Sequence, residues 1–181
     1  MTDDREILDA LREEGREDYA FNLLVRKYSE RLYWHIRRAV IDHDDTDDLL
    51  QNTFIKAWKY LPGFREDSRL YTWLYRIATN ETINYLRSKR LRTMLPFNGQ
   101  ERAACLRLTE EQGFTGDEIT RRLYRAIAQL PPRQKMIFTM RYFDELKFTE
   151  IAAIVNRTVG AVKASYHQAH TKLRQILDTE D

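Results

Sequence analysis

The chain has 181 residues, 43% of them hydrophobic, which suits one domain or two small ones and is too apolar for a disordered chain. Six Gly and four Pro are too few for an all-β protein, which needs many turns. A net charge of +2 does not announce nucleic acid, and a lone Cys105 excludes a disulfide framework.

The charge is segregated along the chain. Residues 1–18 carry eight acids against three Arg, and 42–48 holds five Asp. Arg87-Ser-Lys89-Arg90-Leu-Arg92 is basic. Such a chain can offer one face to phosphates and another to a protein. No run approaches the roughly 20 apolar residues that span a bilayer, and the N-terminus lacks an apolar signal core, so a soluble cytoplasmic protein is expected.

A short helix is expected over about 3–14, capped by Thr2 and ended by Gly15. The stripe Phe21, Leu24, Val25, Tyr28, Leu32, Ile36 and Ala39 predicts a helix over about 18–42. The Asp cluster supplies N-cap oxygens for a third helix, about 46–60. There Leu50, Phe54, Ala57, Trp58 and Leu61 form the inner side, and Asp45, Asp48, Asn52, Lys56 and Lys59 the outer. Leu61-Pro62-Gly63-Phe64 ends it, and Ser68 can cap a fourth helix, about 69–91. Its stripe is Leu70, Trp73, Leu74, Ile77, Ala78 and Tyr85; Glu81 falls inside that stripe with no sequence-level reason.

Residues 92–116 lose the pattern and predict a linker, with one short helical turn near 101–112 and Cys105 incidental within it. Helices are then expected over about 117–129, 132–143, 149–155 and 158–178. Pro131-Pro132 separates the first two, and Thr149 and Thr158 are good N-caps. The fold class is therefore all-α: an N-terminal helical bundle (1–91), a flexible linker (92–116) and a C-terminal helical domain (117–181).

Three constellations carry function. Phe148 to Lys163 has the layout of a helix-turn-helix, with Ile151, Ala152, Val155, Val159 and Val162 as its buried joint. Gly160, Ala164, His167, Gln168 and Thr171 face outward. Lys163, His167 and Gln168 can donate to bases or phosphates, while Arg157 and the N–H groups after Thr158 suit a phosphate. Such spacing also occurs in ordinary helical hairpins, about one time in four. On the fourth helix, Arg76, Asn80 and Arg87 share a face with Thr72 beside them, interleaved by Tyr71, Trp73 and Tyr75. Basic residues among aromatics suit melted nucleic acid, although composition alone favours a solvated basic face with core aromatics. Third, Asp48, Gln51 and Asn52 point out of an already formed helix, a protein-binding surface for a basic partner.

The Asp run lacks the Gly and the Glu that a calcium loop needs. His167 and His170 have no companion ligands, and His35 and His43 face no plausible nucleophile, so no metal, cofactor or catalytic group is expected.

Together these residues resemble the bacterial sigma-70 family, in its extracytoplasmic-function branch. Asp45 to Leu61 looks like region 2.2, Phe64 to Asn80 like regions 2.3 and 2.4, and Leu130 to Lys135 with the helix-turn-helix like region 4. The resemblance implies that Asp45, Asp48, Gln51 and Asn52 dock on core RNA polymerase. It implies that Phe64, Arg65, Ser68, Thr72, Trp73, Arg76, Asn80 and Arg87 hold the −10 element of promoter DNA. Arg157, Thr158, Lys163, Ala164, His167 and Gln168 would read the −35 element. It also implies an anti-sigma partner, which the sequence does not name. Asn52, the stretch 81–84 and the residues Ala164, His167 and Gln168 depart from the family pattern. The other readings are a stand-alone helix-turn-helix regulator and a metal-dependent enzyme acting on nucleic acid.

Overall fold

The computed structural model describes residues 4–92, 104–105, 107–110 and 118–179, so Thr2 and most of the expected linker lie beyond the described residues. Among the described residues there are helices and no strand. They run α1 (Asp4–Arg12), α2 (Glu17–Val40), α3 (His43–Tyr60), a 3-10 turn (Leu61–Gly63) and α4 (Leu70–Arg92). Then come α5 (Glu118–Ala128), α6 (Pro132–Tyr142), α7 (Phe148–Val155) and α8 (Val159–Thr179).

The acidic start of the chain is part of the fold. α1 buries Ile7 and Ala10 against α2, and Asp4 Oδ1 accepts from Lys27 Nζ (2.6 Å) and from the Tyr28 hydroxyl (2.7 Å). Gly15 turns the chain at φ +81°, which costs a residue without a Cβ little. On α2 Leu24, Tyr28, Leu32, Ile36 and Ala39 of the expected stripe are buried, and Phe21 and Val25 are half-buried. α2 ends at Ile41, a buried β-branched residue in the left-handed region (φ 70°) whose N–H bonds the Arg37 carbonyl. The buried Arg37 guanidinium donates back to the Ile41 carbonyl, tying the corner from both sides.

α3 differs from expectation in start and in face. Asp42 is its N-cap, its carboxylate accepting from Asp45 N–H at 3.1 Å, so the helix begins at His43 rather than near 46. Its inner face is Thr46, Leu49, Thr53 and Ala57. The threonine hydroxyls satisfy themselves on carbonyls one turn back, which lets small polar residues line a close helix contact. Trp58, expected inside, is 42% exposed.

Two apolar clusters hold the chain. The first joins α1–α4 to the C-terminal half through Met136, Ile137, Met140, Ile151, Ala152, Ile154 and Val162. The second gathers Ile41, Tyr124, Ile127, Leu130, Phe138, Ala169 and Leu173 around Ala104, Cys105 and Leu108. Residues 104–105 and 107–110 are helical, as the expected turn required, but Leu108 is fully buried and Cys105 nearly so. Cys105 is thus a core residue, not an incidental one, and residues of the expected linker contribute to packing. Burying a Leu side chain contributes roughly 1.5–3 kcal/mol, so this segment is not a passive tether.

The two halves touch along α4, which packs against α6 and α7. A polar network crosses the contact. His35 of α2 is buried between Asp144 (Nδ1 to Oδ2, 3.1 Å) and Thr79 of α4 (Nε2 to Oγ1, 2.9 Å). Arg38 reaches the other Asp144 oxygen at 2.5 Å and lies 5.3 Å from the Phe143 ring. Tyr71 and Tyr75, expected to flank a basic face, belong to this interior: Tyr75 is buried against the His35 ring (4.8 Å) and Tyr71 (4.1 Å). Burial pushes the Tyr71 phenol up to about 12.

Candidate polymerase and DNA interfaces

The residues singled out from the sequence fall on three surfaces. On α3, Asp48, Gln51 and Asn52 are exposed side by side. Asp45 is not one of that group in geometry. Its carboxylate is half-buried, bonded by the Tyr85 hydroxyl and by Lys89 Nζ (2.9 Å), and so ties α3 to α4. Burial alone would raise its pKa, but the hydrogen bonds from Tyr85 and Lys89 outweigh that and hold it below the usual value.

Gln51 stands at the rim of a groove of about 630 Å³ lined by Phe21, Val25, Phe54, Ile55 and Trp58. Ile55 is 58% exposed there, and Trp58 meets Phe21 edge-on at 5.0 Å. This apolar trough escaped the sequence reading. Phe54 and Trp58 fit an inner stripe by spacing, and only the Thr46–Leu49–Thr53–Ala57 contact with the neighbouring helices turns them outward.

The second surface is the loop 62–69 and α4. Phe64 packs against Trp73 with the rings tilted (5.2 Å), fixing the base of the loop, while Arg65 is exposed and Ser68 partly so. Glu66 takes a left-handed conformation (φ 59°) and pairs with Arg12 of α1 at 2.7 Å. Asn80 and Arg87 are exposed, and Thr72 is half-buried. Arg76 is half-buried, its Nη2 donating to the Ala153 carbonyl of α7 at 2.9 Å. Glu81, unexplained from sequence, accepts from Lys56 Nζ at 2.5 Å and bridges α3 to α4.

The third surface is the helix-turn-helix. α7 begins one residue early: Glu150 Oε2 accepts from Lys147 N–H (2.8 Å), so Lys147 rather than Thr149 is the cap. Asn156 makes the left-handed turn (φ 52°), and Thr158 Oγ1 accepts from Ala161 N–H (3.2 Å), as its cap role required. Ile151, Ile154 and Val162 are fully buried at the joint, with Ala152 nearly so. Arg157, Gly160, Lys163, Ala164, His167, Gln168 and Thr171 are all exposed, one outward face from turn to mid-helix. Gln168 accepts from Gln134 of α6 at 3.0 Å, which fixes its amide.

Among the described residues no group of three His, Cys, Asp or Glu could hold a metal, and no helix is long and apolar enough to cross a membrane.

The family model for Sigma-70 region 2 matches residues 24–92, and that for Sigma-70, region 4 matches 120–173. The sigma-E factor of Salmonella typhimurium is 34% identical over 169 residues, covering 89% of this chain and 86% of its own. The chain belongs to the sigma-70 family, in its extracytoplasmic-function branch. The sigma-E factor of Escherichia coli K12 gives the same 34% over 169 residues, and the sigma-H factor of Pseudomonas aeruginosa 33% over 167, covering 87% and 86%. Two solved structures share the sigma factor's fold. CnrH in complex with the cytosolic domain of CnrY has a TM-score of 0.69 at 24% identity, covering 99% of both chains. RpoE of Bartonella quintana with the anti-sigma factor NepR has 0.63 at 19%, covering 89% and 98%. The sigma factor's α4 falls in region 2, and its helix-turn-helix in region 4.

Proposed function

We propose that this sigma factor docks on core RNA polymerase through Asp48, Gln51 and Asn52, reads the −10 element with the loop 62–69 and α4, and reads the −35 element with α8. The observation that carries this is the exposed face of α3. Three polar side chains stand in water on a rigid helix, beside an open apolar groove, with no partner from elsewhere in the described residues. An acidic and amide face flanked by exposed Trp and Ile has the composition of a protein interface, not of a solvated helix. Asp45 joins this set only by orienting α3 on α4.

On the DNA side, Arg65, Ser68, Thr72, Asn80 and Arg87 would contact the melted strand, with Phe64 and Trp73 as stacking surfaces and Arg76 as a further cation. The outward residues Arg157, Thr158, Lys163, Ala164, His167 and Gln168 would meet duplex, phosphates first and base edges second. Arg76 is held by α7 in the described arrangement, so the halves must separate before α4 can engage DNA fully. We read the chain as a region 2 unit (1–91), a connector (92–116) and a region 4 unit (117–181), acting in the cytoplasm without catalysis of its own. The two structural neighbours were solved with the cytosolic domain of CnrY and with an anti-sigma factor, which supports an anti-sigma partner here too.

Asp48→Lys tests the docking role. The side chain is exposed, so the melting temperature should stay within about a degree while core-polymerase affinity falls roughly tenfold or more. Unchanged affinity for core polymerase would remove Asp48 from the interface.

A further inference from the structure

None of the three interfaces uses α1, yet its last turn reaches one of them. Arg12 Nη2 donates to Glu66 Oε1 at 2.7 Å, across 54 residues of chain. Arg12 Nη1 donates to Asp9 Oδ1 one turn back at 3.0 Å, which steadies the guanidinium on α1. The helix is a firm base: Ile7 and Ala10 are buried, and Asp4 is bonded by Lys27 and Tyr28 of α2.

Glu66 is out of place by its backbone alone. Its φ of 59° is one that Gly adopts freely and a side chain resists. Ile41 and Asn156 share that region, but they end α2 and α7, where left-handed residues are common. Glu66 ends no helix and stands in mid-loop, between Arg65 and Ser68. Such a conformation persists only where the surroundings hold it, and the contact that holds this one is Arg12.

The loop is therefore fixed at two points. Phe64 packs against Trp73 at 5.2 Å and ties its base to α4, and Glu66 ties its crest to α1. The Arg12 and Glu66 side chains are 61% and 44% exposed, and ion pairs so open to water contribute little to folding. What the pair governs is the conformer the loop holds, and so the direction in which Arg65 and Ser68 leave it. The pair also neutralises a carboxylate that would otherwise repel the phosphates of a bound strand.

On the reading that the loop 62–69 meets the −10 element, we propose that Arg12 and Glu66 are positioning residues for it. Their pair holds the loop in the conformer that discriminates among −10 sequences, and neither side chain needs to touch a base.

Two measurements on the full chain test this. Without DNA, trypsin cleavage after the exposed Arg65 and Arg69 reports how often the loop opens. Arg12→Gln should speed it roughly two- to fivefold, Arg12→Lys should return most of the protection, and the melting temperature should stay within about two degrees. With core polymerase, start-site formation is compared on promoters carrying single-base changes in the −10 or the −35 element. Arg12→Gln should shrink the preference among −10 variants roughly two- to fivefold, and leave the −35 preference and core affinity as they were. Glu66→Gly, which keeps the backbone and loses the pair, should do the same. Cleavage unchanged by Arg12→Gln would overturn the proposal, because the pair would not be holding the loop. Faster cleavage with an undiminished −10 preference would overturn it too. Arg65→Ala then locates the failure: if it shrinks the −10 preference, the loop reads DNA and only the pair is idle; if it does not, the −10 role of the loop falls as well. A third contrary result is a −10 preference altered by Glu66→Gly but not by Arg12→Gln, which would mean that Glu66 meets the strand itself.

Discussion

Asp144 sits in the turn between α6 and α7 and takes contacts from His35 and Arg38 of α2. Its side chain is 15% exposed, His35 is 0% and Arg38 is 21%, so water screens these contacts poorly. Asp144→Ala removes both. Each hydrogen bond to a charged group contributes about 1.5–3 kcal/mol, and leaving a partner buried and alone costs more. Allowing for relaxation of Arg38 toward solvent, the closed arrangement should lose about 3 kcal/mol, roughly two decades in the closed-to-open ratio. Dyes at Glu30 and Arg174, both exposed and on opposite halves, report the separation by energy transfer. The variant should show a second, longer distance population, a larger radius of gyration in scattering, and unchanged helicity by circular dichroism. A single distance population identical to the parent's, with the melting temperature unmoved, would refute the reasoning.

The α3–α4 tie should be visible in acid. Because the folded pKa of Asp45 lies below the usual aspartate value, its contribution is fully present above that usual value and disappears as pH falls through the folded one. The melting-temperature gap between the parent and Asp45→Asn should therefore be constant near neutrality and close below pH 3.8, as a pH series of melts would record. Leu108→Ala should destabilise by about 2–5 kcal/mol in urea unfolding, since the side chain is fully buried between α5, α6 and α8. A loss under about 1 kcal/mol would mean the segment does not pack as described.

Much of the fold was legible because amphipathic helices write their period into the sequence. The α2 stripe, the Pro131-Pro132 break, the Thr158 cap and the outward face of α8 all fell where local rules place them. What escaped depends on neighbours far along the chain. Trp58 and Phe54 have the spacing of core residues, but close contacts made by Thr46 and Thr53 rotate α3 by part of a turn. Tyr71 and Tyr75 look like an aromatic platform until the buried His35 is placed beside them. Asp144 carries no local signal, since a turn acid is usually solvated, and its partners lie 106 and 109 residues away. Asp45 and Glu81 looked alike on paper, one exposed and one out of place. Both prove to be bridges between α3 and α4, a pairing that neither helix's own periodicity specifies.

A sigma factor turns core RNA polymerase into an enzyme that starts at particular promoters. Run-off transcription with purified core polymerase and a library of promoter fragments, with and without the chain, tests it most directly. Defined start sites should appear only when the chain is present, and Asp48→Lys should abolish or strongly weaken them. Tight duplex binding by the chain alone, with no promoter-directed start in any fragment, would contradict it and leave a stand-alone helix-turn-helix regulator.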